Sequence, residues 1–355
     1  MKSRFGMGRL IVYALLIGNS IIFLAPLAWL ISTSLKPIEQ TMTMPPVWLP
    51  KAYEATIDGK KMEVTLGPEA SPGMRKVTEA STEDVRSHKL LTAIVPESSI
   101  ETSIRPRWNN YPKALATMGG QNYDVGQDAV PGQKFAENED AHVSFWTFLG
   151  NTLTICILSV IGAVFSNALV AYGFARIKWP GRDLFFALTL ATMMLPGPVL
   201  MVPLYTVFRS LGWIGTLQPL WVPSFFGGAF NIFLMRQFFL TIPEELTEAA
   251  RIDGCSEWGI FWRIVLPLSK PVLAVVALFT FLGGWNDFMG PLLYLTHKHT
   301  FTLALALQSY QSRHNGVEWN YLMAASAVII LPIIILFFLT QKTFIRGIAT
   351  TGIKG

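Results

Sequence analysis

Asn286-Asp287 is the pair of residues in this chain best placed to act on a polar solute. It interrupts an apolar run that begins near Pro271 and carries no charge until Asp287. A helix from Pro271 rises about 24 Å before Asp287, so the acid falls in the outer part of a bilayer. An intramembrane acid is a functional candidate by default, because leaving water is costly unless a partner or a solute offsets it. Two readings stand: Asp287 lines a path for solute, or it caps a local break near the external mouth. The run Met193-Met194-Leu195-Pro196-Gly197-Pro198, with Pro203 beyond, breaks a second apolar stretch. Proline frees backbone carbonyls, and these are tolerated at membrane depth only inside protein or beside water. Pro196 therefore lines a path or merely kinks the bundle. Other chemistries find no support. His297 and His299 have no nearby cysteine or acidic cluster to complete a metal site. There is no Gly-x4-Gly-Lys-Ser/Thr phosphate cradle and no Gly-x-Ser-x-Gly nucleophile elbow.

The segment from Thr241 to Pro271, TIPEELTEAARIDGCSEWGIFWRIVLPLSKP, is polar at its start and lies between two apolar runs. Pro243 can open a helix, since the first helical position needs no backbone donor. Glu244 and Glu245 complement the positive end of that helix. Gly254 can close it in a left-handed conformation that other residues resist. Ser256 can cap a second helix that runs to Pro267. The small side chains of Ala249 and Ala250 would let another protein approach closely.

The elements that position these residues are membrane helices. Hydrophobic residues make up 51% and charged residues 14%, with a mean hydropathy of +0.41, whereas soluble domains carry about 25% charged residues. Uncharged runs fill the intervals Arg9 to Lys36, Val143 to Ala175, Leu184 to Phe208 and Ser210 to Met235; two more start near Pro271 and at Trp319. Each approaches or exceeds the roughly 20 residues that cross a bilayer. We read six helices. The first follows Lys2, Arg4 and Arg9 but is too long for a signal peptide and lacks a clear cleavage site, so it reads as an uncleaved anchor.

Basic residues set the orientation. Short segments on one side hold Lys2, Arg4, Arg9, Arg176, Lys178, Arg182, Arg236, Arg251, Arg263, Lys270, Lys342, Arg346 and Lys354; those on the other hold Arg209, Lys298 and Arg313. The positive-inside rule puts both termini and the Thr241–Pro271 loop in the cytoplasm. The net charge of +5 is this bias, and no basic stripe with interleaved aromatics suggests nucleic acid. Cys156 in a span and Cys255 in the cytoplasmic loop cannot pair across that topology.

Residues 36–142 fall outside the membrane. Tyr53, Ala55 and Ile57 alternate with polar residues, as do Met62, Val64 and Leu66, with Asp58-Gly59 between them, which predicts a hairpin. Leu90–Val95 suggests another strand. The residues from Gly119 to Asp140 read as a loop.

Glu248-Ala249-Ala250, Asp253-Gly254, then Ile264, Leu266, Pro267 and Pro271 resemble the EAA loop of ABC-importer permeases. Cys255 stands where that family usually has alanine; it is small and mildly hydrophobic. Asn151-Thr152, Arg176-Ile-Lys-Trp-Pro-Gly-Arg182, Gly284-Trp-Asn-Asp-Phe288, Gly316-Val-Glu-Trp319 and the tail from Gly347 are similar to the carbohydrate class, and the whole pattern is similar to its maltose-type six-span permeases. Met44-Pro-Pro-Val-Trp-Leu-Pro50 and Trp108-Asn-Asn-Tyr-Pro112 resemble the ends of that class's short first external loop, so residues between them form an insertion. It is either a docking surface for a binding protein or a spacer.

The resemblance implies an all-α membrane protein with six transmembrane helices and a small β-containing external insertion between helices 1 and 2. It divides the chain into residues 1–35 (N-terminus and first helix), 36–142 (external), 143–343 (permease core with the cytoplasmic loop 241–271) and 344–355 (cytoplasmic tail). It implies that Glu245, Glu248, Ala249, Ala250, Asp253 and Gly254 form a coupling helix docking on a cytosolic ATPase. The expected partners are two ATP-binding cassette subunits, a second permease, an extracytoplasmic solute-binding protein and the inner-membrane bilayer. The chain itself is expected to bind no cofactor, with ATP and magnesium held by the ATPase subunits. The substrate class implied is a sugar or sugar-like solute. A peptide or amino-acid importer is the alternative within the class. A self-contained secondary transporter is the alternative outside it, although no inverted repeat or central charged pair supports one.

Overall fold

The structure is a computed structural model and describes residues 7–57, 59–80, 91–118, 143–310 and 318–351. Asp58 of the expected hairpin, Leu90 of the expected strand, the residues from Gly119 to Asp140, His88, His142, Arg313, His314 and residues 352–355 lie outside them. The chain divides into two units, Met1–Leu115 with Tyr310–Val328, and Ala116–Ser309 with Ile329–Gly355. Among the described residues it is mostly helical with one small sheet.

The first unit begins with α1 (Met7–Ser34), apolar and exposed over most of its length. Strands β1 (Lys51–Ile57), β2 (Lys60–Ser71), β3 (Met74–Glu79), β4 (Thr92–Pro96) and β5 (Glu101–Ile104) form an antiparallel sheet in the order β4-β3-β2-β1-β5. The expected hairpin is there in register, Tyr53 opposite Val64 and Ala55 opposite Met62, with Gly59 at φ +79°. Its apolar face is Ala55, Ile57, Val64, Val77 and Val95. Across it, Glu101, Glu54 and Glu63 stand opposite one another on three adjacent strands. Like charges so placed repel. Lys61 offsets this by pairing with Glu54 at 3.2 Å and Glu101 at 2.6 Å, while Arg105 and Arg107 pair with Glu63. The charged strand β3 and the short, exposed β5 carried no alternation to read. Helix α2 (Asn110–Met118) was also illegible, because Pro112 falls in its first turn, where proline is tolerated. Asn110 donates to the carbonyls of Ser34 and Lys36 at 2.7 and 2.9 Å, tying α2 to the end of α1.

The second unit is arranged around α3 (Phe145–Arg176), which contains no proline. After it come α4 (Arg182–Ala191), α5 (Gly197–Ser210), α6 (Gln218–Trp221), α7 (Ala229–Leu240), α8 (Glu244–Ile252), α9 (Glu257–Ile260), α10 (Leu266–Leu268), α11 (Lys270–Asn286), α12 (Met289–Tyr294) and α13 (Leu303–Leu307); α14 (Trp319–Thr351) closes the described chain. Gly8–Ser34, Phe145–Arg176 and Trp319–Gln341 are each long and apolar enough to cross a membrane. Three further pairs qualify only as bent spans: Arg182–Met194 with Gly197–Ser210 at 100°, Gln218–Leu240 with Glu244–Ile252 at 77°, and Glu257–Leu268 with Lys270–Asn286 at 78°.

The apolar run from Ser210 to Met235, expected as one helix, is a correction. It forms α6, a 3-10 turn (Val222–Phe226) and α7, separated at Gly227, whose φ is +85°. Side chains of α3 serve the backbone freed there. Ser159 donates to Leu220 O at 3.4 Å, Ser166 donates to Ser224 O at 3.0 Å, and Asn167 accepts the Gly228 N–H at 2.7 Å. Ser159 and Ser166 lie seven residues apart and so share one face of the helix. All three residues are buried.

Two glycines allow close approach. A Cβ on Gly162 would lie 2.4 Å from the Phe225 ring, and one on Gly284 would lie 3.3 Å from Cys156 Sγ. Gly283, expected to pack in the same way, has nothing within 4 Å of its Cβ position; it faces away from α3 while Gly284 faces it. Alanine normally favours a helix over glycine by about 1 kcal/mol. Gly162→Ala is expected to reverse that sign and destabilise the protein by about 1–3 kcal/mol through overpacking. Thermal unfolding of the purified protein should show a lower Tm for Gly162→Ala and an unchanged or higher one for Gly150→Ala, whose Cβ position is open.

Candidate functional site

Helix α8 starts one residue later than the sequence suggests: Pro243 is the cap, at φ −53° and ψ 134°, and Glu244 is the first helical residue. Glu244 and Glu245 occupy the first turn, where the helix dipole favours acids. The exit is the expected left-handed one. Gly254 has φ +81°, its N–H donates to Arg251 O at 3.0 Å, and the Cys255 N–H donates to Ala250 O at 2.9 Å. These two bonds are the Schellman pattern that satisfies the last carbonyls of a helix. Ser256 then caps α9 by accepting the Gly259 N–H at 3.2 Å. The second helix does not run regularly to Pro267. It widens into a π turn over Phe261–Val265, where the Leu266 N–H bonds Phe261 O. Proline has no N–H and its ring crowds the carbonyl four residues back, so a widened turn before Pro267 relieves both problems.

The two faces of α8 differ. Thr247 and Ala250 are buried, Ala250 in the apolar core with Phe239, Ile242 and Ile260. Glu245, Glu248, Ala249 and Asp253 are exposed, together with Leu246 and Ile252, the last at 87%. The expectation that Ala250 faces a partner is therefore corrected: its small side chain lets α8 lie close to its own core. Ala249 alone of the pair offers a small outward surface.

The loop is fastened to the end of α3 by residues that the sequence reading treated only as charges, or not at all. Tyr172 donates to Glu257 Oε2 at 2.5 Å, and Arg251 Nε donates to Glu257 Oε1 at 2.8 Å. The hydrogen bond and charge of Arg251 hold the Glu257 carboxyl below its usual range, against the opposing effect of burial. The stabilisation is thus present above the unfolded carboxyl pKa and is lost as pH falls through the lowered folded value. Arg176 Nη2 donates to the carbonyls of Phe239 and Ile242, at the entrance to α8. The Tyr172 ring also packs on Phe261, with centroids 5.2 Å apart.

The residues proposed for a solute path sit at helix breaks. Pro196 caps α5 at the 100° bend and is exposed, as are its neighbours from Ala191 to Leu200. Asn286 turns back on its own helix, donating to Leu282 O at 2.9 Å. Asp287 ends α11 and accepts the Gly290 N–H at 3.0 Å, so it caps the break into α12. Gly290 is required there, because a Cβ would lie 2.4 Å from Asp287 Oδ2. At the opposite end of α3 from Tyr172, Asn151 Nδ2 donates to His299 O at 2.7 Å and Phe301 O at 3.0 Å, and Thr152 Oγ1 accepts the Leu303 N–H at 2.9 Å.

Comparison with known proteins agrees with this architecture. Residues 159–350 match the family described as binding-protein-dependent transport system inner membrane component. The arabinooligosaccharides transport system permease protein AraQ of Halalkalibacterium halodurans is 37% identical over 211 residues, covering 59% of this chain and 75% of that protein. The sn-glycerol-3-phosphate transport system permease protein UgpE of Escherichia coli is 35% identical over 244 residues, covering 66% and 86%. In fold, the chain is similar to a chain from a bacterial ABC transporter involved in the import of the acidic polysaccharide alginate, with a TM-score of 0.65, 20% identity, and 97% and 99% coverage.

The Asp287 cap predicts a specific mutational pattern. Asparagine keeps an acceptor for the Gly290 N–H, so Asp287→Asn is expected to support normal uptake and complex yield. Asp287→Leu leaves that donor unpaired at a cost of roughly 1–3 kcal/mol, and complex yield should fall. An assembled Asp287→Asn complex that transports nothing would show that the charge itself acts on the solute.

Proposed function

The chain belongs to the family of binding-protein-dependent transport system inner membrane components, and from that premise we propose how it works within an ABC importer of a sugar or sugar-like solute. It is a transport component rather than an enzyme. The observation that carries the mechanism is the two-faced α8: Thr247 and Ala250 anchored in the core, with Glu245, Glu248, Ala249, Leu246 and Ile252 turned outward. A short helix held on one side and bare on the other suits a groove on another protein. An acidic rim with exposed apolar side chains gives such a contact both steering and burial.

We propose that α8 is the coupling helix and docks on one of two ATP-binding cassette subunits, which bind ATP and magnesium. The chain binds neither, since it lacks a phosphate loop. A second permease completes the translocation unit, and an extracytoplasmic binding protein delivers the solute. In this reading the chain has six spans, the three continuous helices and one within each bent pair, with α8 and Glu257–Leu268 outside the membrane and both termini and the 241–271 loop cytoplasmic. The sheet β1–β5 is then an external insertion between the first and second spans. ATP-driven closure of the ATPase pair moves α8, and the spans alternate between inward-open and outward-open states. Pro196 at the α4–α5 bend and Asn286-Asp287 at the α11–α12 break are hinge or path residues. The loop from Thr296 to Trp319, of which residues 311–317 lie outside the described residues, faces the binding protein. The names of the similar permeases, for arabinooligosaccharides and glycerol phosphate, support a carbohydrate-type solute.

Co-purification tests the docking. Gly254→Val forces a β-branched residue into a left-handed conformation at about 1–2 kcal/mol, and Glu248→Lys reverses a charge on the outward face. Both are expected to reduce recovery of the ATPase subunits and uptake while the second permease is retained. Normal recovery and uptake in both would exclude α8 as the contact.

Orientation is tested by thiol labelling in a Cys255→Ala background. Lys60→Cys should react with an impermeant reagent added to cells whose outer face is accessible, and Glu245→Cys only after the membrane is opened. The reverse pattern would invert the topology.

A further inference from the structure

We propose that α3 is the strut through which docking of the binding protein is felt by the ATPase subunits, and that Tyr172 and Thr152 are the positioning residues at its two ends. This rests on the reading of α8 as the coupling helix.

The cytoplasmic end of α3 grips both sides of α8. Arg176 holds the Phe239 and Ile242 carbonyls where the chain enters it. Tyr172 holds Glu257, and Glu257 holds Arg251 in the last turn of α8 itself. A displacement of α8 therefore either carries the end of α3 with it or breaks charge-assisted hydrogen bonds, which are the stronger kind. At the other end, Asn151 and Thr152 hold the backbone of the segment from His299 to Leu303 at three positions, His299, Phe301 and Leu303. Thr152 is buried and is served twice, donating to Phe148 O at 2.8 Å and accepting the Leu303 N–H.

The distance between the two grips, from Thr152 to Tyr172, is about 30 Å of helix, the thickness of a bilayer core. If α8 meets a cytosolic protein, the His299–Leu303 segment is on the face where a binding protein must arrive. The helix between the grips can carry a push. It has no proline, whereas α5 contains Pro203, α14 contains Pro332, and α4–α5, α7–α8 and α10–α11 are each bent sharply. A continuous helix clamped by polar contacts at both ends moves as one piece, and the broken helices beside it supply the hinges. By linkage, what binding-protein docking does to the ATPase-closed state, that state does to binding-protein affinity.

The test uses the complete complex in liposomes, with ATPase activity measured alone and with saturating loaded binding protein. Tyr172→Phe keeps the ring on Phe261 and removes only the grip on Glu257. Thr152→Val removes the acceptor for Leu303, and Thr152→Ser restores it. The expected result is unchanged basal ATPase in all three, with the stimulation ratio reduced about fivefold to tenfold in Tyr172→Phe and Thr152→Val, the range of ordinary allosteric coupling. Thr152→Ser should behave as the unmodified chain. The double variant Tyr172→Phe/Thr152→Val should be no worse than either single one, because a strut released at one end transmits nothing further. Losses that multiply would indicate two independent local defects and overturn the proposal, as would an unchanged ratio in either single variant. Should Thr152→Val fail to assemble, Asn151→Ala reads the same end with the same expectations. Failure of the unmodified chain to recover ATPase subunits would defeat the coupling-helix reading and the strut with it. Normal recovery with unchanged ratios would defeat the strut alone.

Discussion

Inside a bilayer, a backbone N–H or C=O without a partner has no water to turn to, so a membrane helix can break only where protein supplies the missing bonds. The second unit of this chain is built on that constraint. It breaks its helices repeatedly, and at two of the breaks side chains supply the missing bonds. Asn167 receives the Gly228 N–H and Ser166 reaches the Ser224 carbonyl at the interruption between α6 and α7. Asp287 receives the Gly290 N–H where α11 gives way to α12. Removing α3 would leave the first of these breaks without partners.

This explains why the polar residues of α3 sit where they do. Thr152, Ser159, Ser166 and Asn167 are buried in a mostly apolar helix, and each serves backbone belonging to another segment. The glycines obey the same geometry. Gly162 lets the Phe225 ring lie against α3, and Gly284 lets α11 approach Cys156. Close approach and polar repair come together, since a short serine or asparagine side chain reaches a neighbouring carbonyl only when the two backbones are near. The result is one continuous helix with hinged neighbours packed around it.

The loop containing α8 uses the opposite device. In the proposed topology this loop lies in water, and its backbone is satisfied locally by the Schellman turn at Gly254 and the cap at Ser256. What the core supplies is attachment. Thr247 and Ala250 seat the helix, and Arg176, Tyr172 and Glu257 fasten its ends. This leaves the acidic face free, with Leu246 and Ile252 beside it, a mixed surface that a partner can bury and that stays soluble until it does.

Much of this could be read from residues alone, wherever the cause is local. The apolar runs, the basic bias of the short loops, the positive φ of Gly254, the Ser256 cap and the Tyr53–Leu66 hairpin depend on neighbours a few positions away, and each is legible for that reason. So is the family, because the spacing from Glu248 to Pro267 is itself a local pattern. Tertiary structure decided what spacing along the chain does not encode. It turned Ala250 inward and Ala249 outward, split the fourth apolar run at Gly227, and assigned close packing to Gly284 but not to Gly283. It also joined Tyr172 to Glu257 across 85 residues and Asn151 to His299 across 148. Those outcomes depend on which face of one helix meets which face of another, and hydrophobic composition is nearly the same on every face of a membrane helix. Only packing, and the need to satisfy each freed backbone group, selects among them.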